Sequence, residues 1–398
     1  MSQQTGILVI NSGSTSLKFA LYVLNAARPE LAAQGGFSGM STAAVLKFKD
    51  SQGVALYSEN FSGALSHEAA LTHLIGVLKQ KFPAVDIGYA GHRIVLGGDK
   101  FLNATILDGE NLEYLDGLSR IEPTHQHFEV EGARALARAF PTIKQSATFD
   151  TSFHRTMPKV AEFYPVPPEI IAKGVRHWGF HGISYAYISR QLPSVMPTAK
   201  KVVVAHLGGG ASLCAMKDGK SIDTSMQFGA ITGVPMATRS GDFPADAVFY
   251  LLKEGFYTAE GLEQELEKHS GLLGASLGLS EDMQVLEASH AEESVQALQY
   301  FEYDVLKYIG AYAAALEGLD GLVFTAGIGE NDADFRARII SKLSWLGITL
   351  DKETNQQAVG GRTPHLISGK DSRIPVYVIP TNEELMIAYN VVELFNLI

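Results

Sequence analysis

Two short segments of this chain share one layout, and they begin 195 residues apart. The first, Ile7 to Phe19, reads ILVI-NSGSTSLKF, and the second, Val202 to Cys214, reads VVVA-HLGGGASLC. In each, four apolar residues precede a turn of small residues and a second apolar run, which predicts a β-hairpin. Glycine-rich turns let backbone N–H groups approach phosphate oxygens closely. The repetition predicts duplicated domains that face one nucleotide.

Composition narrows the class of protein. The 398 residues carry a net charge of −11 without a long basic cluster, which argues against binding to nucleic acid or to a membrane surface. The single cysteine, Cys214, excludes an intrachain disulfide and favours a reducing compartment. The N-terminal MSQQTG lacks the pattern of an export signal, and no apolar run reaches about 18 residues. We expect a cytoplasmic protein.

Strands and helices alternate along the chain, which predicts an α/β fold. A proline-rich connector, PVPPEI at 165–170, separates the halves, and 225–246 reads as a long loop. Helices are predicted at 67–82, 128–140, 262–269, 292–316, from about 332 to 346, and in the C-terminal tail. Strands are predicted within 87–98, at 145–151, within 321–331 before a glycine turn, and at 375–380.

Three common nucleotide and hydrolase motifs are absent or lack their context. The GKS at 219–221 has Cys214 where a P-loop needs glycine, and neither Gly208 nor Gly327 begins a G-x-G-x-x-G. A G-x-S-x-G match at 274–278 centres on Ser276, but a nucleophile elbow needs a preceding strand. Here the preceding HSGLL reads as a helix end, which disfavours a hydrolase.

Eight segments, in order from residue 7 to residue 384, carry a resemblance to one family. They read NSGSTSLK, GHRIVLGG, FDTSFH, HWGFHGIS, HLGGGAS, DTSM followed by TRSGD, FTAGIGEN and PTNEE. Together they closely resemble the motifs of the acetate kinases, over nearly the whole chain. One such motif would be weak, whereas eight in order are specific.

The resemblance implies two duplicated ribonuclease-H-like domains of the actin, Hsp70 and sugar-kinase superfamily, with ATP in a cleft between them. It implies an N-terminal lobe of residues 1–150 plus 384–398 on the carboxylate and phosphate side. Residues 151–383 then form the adenosine-binding lobe. The implied reaction is reversible phosphoryl transfer from ATP to acetate, giving acetyl phosphate and ADP. Family members resemble homodimers, which makes a homodimer the expected assembly.

Four residues match catalytic positions of the family. Arg93 and Arg239 match its two active-site arginines, and a guanidinium can grip a planar oxyanion with two donors. His181 matches the histidine that stabilises the moving phosphoryl group. Asp150 matches an aspartate often described as a general base. Because a carboxylic acid is already ionised at pH 7, we expect Asp150 to hold Mg²⁺ through water or to orient an arginine instead.

The resemblance also implies a metal site and a nucleotide site. Asn11 and Glu383 match the magnesium positions, with Mn²⁺ as an alternative ion. Lys18 is expected to clamp phosphate. The remaining nucleotide-binding positions are His206, Leu207, Gly208, Gly209, Gly210, Asp282, Met283, Gln284, Gly327, Ile328, Gly329, Glu330 and Asn331.

Several positions depart from the usual pattern of the family. Leu96 replaces a histidine, Gly209 an asparagine, Gln284 an arginine and Tyr185 a histidine. In the acid pocket Thr124 stands in place of leucine, His127 in place of proline and Ala230 in place of proline, while Val95 and Phe180 keep the apolar lining. A methylene in such a pocket changes specificity by only ~1–3 kcal/mol, so propionate or another short acid remains an alternative substrate.

Two alternative functions, each from another class of protein, occur on the same fold. A sugar kinase would use Asp150 as a true base, but a neutral sugar does not need two arginines. An actin- or Hsp70-like nucleotide switch would need a peptide-binding or polymer-forming module, and it would leave Arg93 and His181 without a role.

Overall fold

The computed structural model describes residues 4–25 and 28–398. Residues 1–3, which begin the segment interpreted above as lacking an export signal, lie outside these ranges. The chain divides into two compact units: unit 1 is Met1–Phe153 with Asn382–Ile398, and unit 2 is His154–Thr381. In the described ranges no helix combines the length and the apolar character needed to cross a membrane.

Each unit is built on one sheet. The strands are β1 (Gln4–Ser12), β2 (Leu17–Asn25), β3 (Arg28–Ser38), β4 (Val45–Asp50), β5 (Ala55–Asn60), β6 (Val85–Ile94), β7 (Thr105–Ile106), β8 (Lys144–Phe149), β9 (Lys201–Leu207), β10 (Ala211–Lys217), β11 (Lys220–Thr224), β12 (Gly321–Thr325), β13 (His365–Leu366) and β14 (Val376–Val378).

Helices flank the strands in both units. They are α1 (His67–Lys81), α2 (Gly109–Asp116), α3 (Gln126–Ala139), α4 (Lys159–Glu162), α5 (Pro168–Ile171), α6 (Gly182–Val195), α7 (Ala245–Lys253), α8 (Ala259–Lys268), α9 (Gly271–Ala275), α10 (Met283–Ala288), α11 (Glu292–Ala315), α12 (Ala326–Asn331), α13 (Ala333–Ser341), α14 (Lys352–Gln357) and α15 (Glu383–Phe395). Short 3₁₀ turns occupy Gly117–Arg120, Ser152–Thr156 and Ser344–Leu346.

The two sheets have the same topology at their centres. Unit 1 has the order β5-β4-β3-β2-β1-β6-β8-β7, and unit 2 has β11-β10-β9-β12-β14-β13. In each, antiparallel strands, four in unit 1 and two in unit 2, lead to a parallel triplet. The triplet is β1, β6 and β8 or β9, β12 and β14, and an antiparallel edge strand follows it. This repeated order confirms the predicted α/β fold with two duplicated domains.

The parallel strands are buried because helices cover them. Strands β9 and β12 contain Val202 to Leu207 and Gly321 to Thr325, and every one of these residues is buried. Helix α1 shows how a flanking helix is specified: Ser66 caps it by accepting a hydrogen bond from the Ala69 N–H. Its Leu71, Leu74 and Leu78 recur at helical spacing and are fully buried.

Helix α15 returns to unit 1 and packs on β6 at Gly91. A Cβ at Gly91 would lie 2.6 Å from Ile387 Cγ2 and 2.8 Å from Val391 Cγ2, so only glycine permits this approach. Asn382 caps the helix by accepting a hydrogen bond from the Leu385 N–H at 2.9 Å. The close packing fixes where the first residue of the helix, Glu383, lies.

Two local predictions differ from the structure, and three strands were not predicted. The glycine turn expected after β12 is the short helix α12, in which the Glu330 carboxylate accepts a hydrogen bond from the Ala326 N–H at 2.7 Å. The helix expected to about residue 346 stops at Ser341 and is followed by a 3₁₀ turn. Strands β3 to β5, within 28–60, were not predicted: β3 and β5 lack a regular apolar alternation, whereas the alternation of Leu46 and Phe48 with lysines in β4 was overlooked.

The G-x-S-x-G segment does not form a nucleophile elbow. Ser276 follows the short helix α9, and its hydroxyl donates to the Leu273 carbonyl oxygen at 3.1 Å. The strand that a hydrolase would place before this serine is therefore not present there.

Candidate active site

The parallel strands of unit 1 end in polar side chains at one edge of the sheet. Asn11 lies near the end of β1, Arg93 near the end of β6, and Asp150 directly after β8. The register pairs Ile10 with His92 and Arg93 with Thr148, which brings the strand ends together. Ligands of open α/β sheets bind beyond the carboxyl ends of the strands.

Arg93 is held by two carboxylates. Its Nε and Nη2 donate to the two carboxylate oxygens of Asp150 at 3.2 and 2.6 Å, and its Nη1 donates to Glu129 Oε1 at 3.1 Å. Burial alone would lower the pKa of the Arg93 guanidinium, but Asp150 and Glu129 raise it above its ordinary value. Arg93 is therefore a fixed cation whose side chain is 18% exposed.

Glu129 is a residue that the sequence interpretation did not single out. It lies in the first turn of α3, and its second oxygen accepts a hydrogen bond from the Val95 N–H at 2.7 Å. Burial raises its pKa to about 7 against the opposing charge of Arg93, with a further upward contribution from Asp150. Glu129 lies outside the motif that contains Arg93, so its contact with Arg93 is apparent only from the packing of α3.

A small recess next to Arg93 contains the predicted metal and phosphate residues. Asn11 and Lys18 face each other across the β1–β2 hairpin, and both line the recess together with Glu383. Burial and the neighbouring Asp150 raise the pKa of Glu383 to about 7, while Arg93 and Lys18 act in the opposite direction. A buried carboxylate that ionises with difficulty gains from a nearby cation.

This donor set fits magnesium. An amide oxygen and a carboxylate are oxygen ligands of the kind Mg²⁺ prefers, and Mg²⁺ commonly keeps several waters besides one or two carboxylates. The described residues contain no cluster of three or more His, Cys, Asp or Glu side chains arranged to hold a metal. A sparse site that is completed by water and phosphate oxygens is the arrangement these side chains allow.

His181 occupies a strained position in unit 2. Its backbone is left-handed, with φ of 57°, at the point where the chain enters α6. Its Nδ1 lies 2.9 Å from the Ser212 hydroxyl, and its ring stacks on His206 with centroids 4.2 Å apart. A non-glycine residue in this region costs of order 1–3 kcal/mol and often marks a functional site.

His154 holds the segment before His181. Its Nε2 lies 2.9 Å from the Phe180 carbonyl oxygen, and its Nδ1 lies 2.9 Å from the Ser221 hydroxyl. Burial lowers the pKa of His154 to about 3, so its ring is neutral. Because a carbonyl oxygen can only accept, Nε2 carries the proton and the Ser221 hydroxyl donates to Nδ1.

Arg239 lies beside the second glycine hairpin. Its Nη1 donates to the Ala230 carbonyl oxygen at 3.2 Å and approaches Met236 Sδ at 3.7 Å. A Cβ built on Gly210 would lie 3.1 Å from His181 Nε2 and 3.8 Å from Arg239 Nη1. His181, Arg239 and the hairpin turn therefore converge at one place in unit 2.

The predicted acid-binding residues lie in both units. In unit 1 Val95 is buried, and the Thr124 hydroxyl contacts the Glu122 carboxylate and lies 2.9 Å from His125 Nδ1. In unit 2 Phe180 is buried and precedes His181, and Ala230 contacts Arg239 through its carbonyl oxygen. Thr124 thus belongs to a polar group of side chains rather than to an apolar wall.

A cavity of about 860 Å³ opens in unit 2 beside the glycine segments that follow β9 and β12. A Cβ on Gly209 or Gly327 would meet no atom within 4 Å, so both backbones are open to a ligand. Eight predicted nucleotide-binding residues line it: Gly208, Gly209, Asp282, Met283, Gln284, Gly327, Ile328 and Asn331.

Other predicted nucleotide residues lie elsewhere. His206 and Leu207 are buried in β9, Gly210 faces His181, and Gly329 is buried within α12. The Glu330 carboxylate accepts hydrogen bonds from the N–H groups of Ala326 and Thr381, at 2.7 and 3.0 Å, so it joins the end of β12 to the segment after β14. Lys18 belongs to unit 1.

Part of this cavity is acidic, and its acidic residues were not predicted from the sequence. Glu281, Glu287, Asp332 and Asp334 line it, as do Gln356 and Val359. Burial raises the pKa of Asp332 to about 6; the Phe335 N–H opposes this shift and Glu287 adds to it. Glu281 and Asp332 are adjacent in the chain to the predicted nucleotide-binding stretches 282–284 and 327–331, and Glu287 and Asp334 follow within three residues. This closeness in sequence was the signal that could have identified them.

The chain matches one protein family over almost its full length. The model of the acetokinase family matches residues 6–389. An acetate kinase from Rhodopseudomonas palustris (strain TIE-1) is 41% identical over 391 residues, which cover 97% of each chain. Two solved structures, an acetate kinase from Porphyromonas gingivalis and a propionate kinase from Francisella tularensis, are 32% and 34% identical. Each has a TM-score of 0.89 and matches 98% of this chain and all of its own. The chain therefore belongs to the acetokinase family of phosphotransferases.

Proposed function

We propose that the protein transfers the γ-phosphoryl group of ATP to the carboxylate of acetate, giving acetyl phosphate and ADP. The observation that carries this proposal is Arg93, a guanidinium fixed by two buried carboxylates at the carboxyl ends of parallel strands. A fixed guanidinium is a bidentate site for a small carboxylate. The similar enzymes from R. palustris and P. gingivalis, both named acetate kinases, support acetate as the acceptor.

The residues of unit 1 are assigned to the acid. Arg93 binds and orients its carboxylate, Val95 lines the space around its methyl group, and Thr124 adds a polar side chain to the same pocket. Acetate has a pKa near 4 to 5 and is ionised at neutral pH, so its oxygen attacks without losing a proton. Asp150 then has no proton to remove, and its two-point contact with Arg93 supports an orienting role.

The residues of unit 2 are assigned to the nucleotide and the moving phosphoryl group. The cavity of about 860 Å³ accommodates the adenosine, and the open backbone of Gly209 in the hairpin turn approaches the phosphates. His181 and Arg239 donate to the equatorial oxygens, where charge is spread in the transition state. Phe180 and Ala230, next to these two residues, complete the acid-binding set.

Asn11 and Glu383 are assigned to Mg²⁺, and Mn²⁺ has the same ligand preferences. The ion supplies charge neutralisation of the phosphate oxygens when it is bound. Lys18, opposite Asn11 in the hairpin, adds a point charge for phosphate.

The direct test is to trap the product with hydroxylamine. Protein, MgATP and acetate should give acetyl hydroxamate, and reactions without ATP or with Arg239→Ala should give little. The assay extends to formate, propionate, butyrate, lactate and glycolate. Absence of hydroxamate with every acid would refute the carboxylate kinase assignment.

Propionate is the second candidate acceptor. The solved structure named a propionate kinase is as similar to this chain as the acetate kinase structure, with the same TM-score of 0.89. Thr124 and Ala230 are smaller than the leucine and proline that the resemblance places at these positions, which leaves room for a longer acid. A kcat/KM for propionate above that for acetate in the same assay would identify propionate as the preferred acid.

We also propose a homodimer in the cytoplasm. No residue of α7 is buried, and its Phe249 and Tyr250, with Phe256 and Tyr257 in the segment that follows the helix, are exposed aromatic residues. The rings of Tyr250 and Phe256 lie 5.9 Å apart. Clusters of this kind mark association surfaces. Light scattering after gel filtration should give twice the chain mass, and Phe249→Glu should weaken the dimer. Val160→Glu, at a residue that is 89% exposed on α4, is the matched control. A monomeric wild type would contradict the proposal.

A further inference from the structure

The buried Glu129 carboxylate has no assigned role. It lies on α3, outside every motif that predicts the site, and it contacts Arg93 directly. Its side chain is only 1% exposed. A buried charged group must be paired and hydrogen-bonded to be tolerated, so the contacts of Glu129 indicate what it does.

Glu129 is fixed at both of its oxygens. Oε1 accepts from Arg93 Nη1 at 3.1 Å, and Oε2 accepts from the Val95 N–H at 2.7 Å. Val95 is two residues beyond Arg93, so Glu129 connects the arginine tip to the backbone of the same segment. Helix α3 reaches this place because Gly132 packs against β1, where a Cβ would lie 2.1 Å from Ser12 Oγ.

Together the two acids determine which donors of Arg93 are left. A guanidinium has five N–H bonds. Asp150 takes the one on Nε and one on Nη2, and Glu129 takes one on Nη1. One N–H remains on each of Nη1 and Nη2, and no group within residues 4–25 and 28–398 accepts either of them. Nη1 and Nη2 therefore each keep one N–H that is available to the carboxylate of an acid.

We propose that Glu129 is a positioning residue that fixes the guanidinium plane of Arg93, so that one Nη1–H and one Nη2–H face the acid substrate. This inference rests on the proposed function, and it identifies the residue that fixes the geometry of the acid-binding site. Without Glu129, Asp150 still binds one side of the guanidinium, but the Nη1 side is free to tilt. Displacement of a positioning group by about 1 Å can lower a rate about 100-fold.

A purely electrostatic role gives the opposite expectation. Glu129 adds negative charge beside an anionic substrate, so neutralising it would then improve acid binding. The charged and titratable groups that face Glu129 are Arg93 from β6, Asp150 after β8 and His125 before α3. The sign of the change in KM for the acid therefore separates the two roles.

The test compares Glu129→Gln with the wild type in the hydroxamate assay. Glutamine keeps the size of the side chain, but its NH₂ group cannot accept a hydrogen bond from the Val95 N–H while its oxygen serves Arg93. We expect the KM for acetate to rise between about 10-fold and about 100-fold, with little change in the KM for ATP. Glu131→Gln is the matched control, since Glu131 also lies on α3 and pairs with Arg134 and Arg138. It should leave both KM values unchanged.

A KM for acetate that is unchanged or lower in Glu129→Gln would overturn the inference while leaving the proposed function intact. Crystal structures of the wild type and Glu129→Gln provide a readout that needs no activity. We expect the guanidinium plane of Arg93 to rotate or to adopt several orientations in the variant. An unchanged plane, with Nη1 in the same place, would overturn the positioning role even if the enzyme used another substrate.

Discussion

Arg93 and Asp150 form a two-point ion pair, with Nε 3.2 Å from Oδ1 and Nη2 2.6 Å from Oδ2. The pair joins the end of β6 to the residue after β8, so the sheet itself fixes the direction of the guanidinium. An aspartate whose two oxygens both accept from one guanidinium is suited to orient that guanidinium. A substitution of Asp150 can therefore distinguish an orienting role from a role in proton transfer.

Asp150→Asn should behave as loss of an orienting group. The amide can accept only one of the two hydrogen bonds from Arg93, so we expect the KM for acetate to rise about tenfold or more. A general base contributes about 10²–10⁴-fold, and its loss would remove the rise of kcat with pH. Steady-state kinetics across pH 5.5 to 8.5 distinguish these outcomes. A large fall in kcat with an unchanged KM would support proton transfer instead.

Arg239→Ala should act on the chemical step. Arg239 lies beside Gly210 and His181 in unit 2, where we place the moving phosphoryl group. Removing one donor to transition-state charge lowers kcat by about 10²–10³-fold. The matched control is Arg190→Ala, because Arg190 is exposed on α6. Retention of the wild-type kcat would exclude Arg239 from the transition state.

Gly91→Ala should disturb the proposed metal site through helix α15. The new methyl group would clash with Ile387 and Val391, and such overpacking costs about 1–3 kcal/mol of stability. Because α15 begins at Glu383, we also expect a higher Mg²⁺ concentration for half-maximal activity. Gly88→Ala is the control on the same strand, since a Cβ there meets nothing within 4 Å. Equal Tm and Mg²⁺ dependence in the two variants would contradict the packing argument.

The raised pKa of Glu129 predicts a specific dependence of stability on pH. The pKa is about 7 in the folded protein against an ordinary value of 4.5, so folding favours the protonated form. This stabilisation is complete below about pH 4.5 and is lost as the pH rises to about 7, by up to about 3 kcal/mol. Glu129→Gln lacks this contribution. The free energy of unfolding of the variant minus that of the wild type should therefore be larger at pH 8 than at pH 5.

Urea denaturation of both proteins at the two pH values measures that difference. Glu383 titrates in the same range in both proteins, so its contribution cancels. A difference in stability that does not vary with pH would show that Glu129 ionises normally in the folded protein.

Much of the fold and part of the candidate site were predictable because their residues are close in the chain. The hairpin at Ile7 to Phe19 is set by apolar runs around a small-residue turn, and β1 and β2 follow it closely. Arg93 and Asp150 were identified because each lies within a motif at a strand end. In contrast, β3 and β5 depend on pairing with neighbouring strands, which their local patterns do not reveal.

By itself the sequence determined the α/β class, the duplication and the motif residues, because apolar periodicity and turn chemistry act over a few residues. Only the tertiary structure decided which groups complete the site. Glu129 meets Arg93 across 36 positions of sequence, and four acids line the cavity beside the glycine segments. These contacts depend on close approach of packed elements, at Gly132 for α3 and Gly91 for α15, and a linear pattern does not encode which surfaces meet.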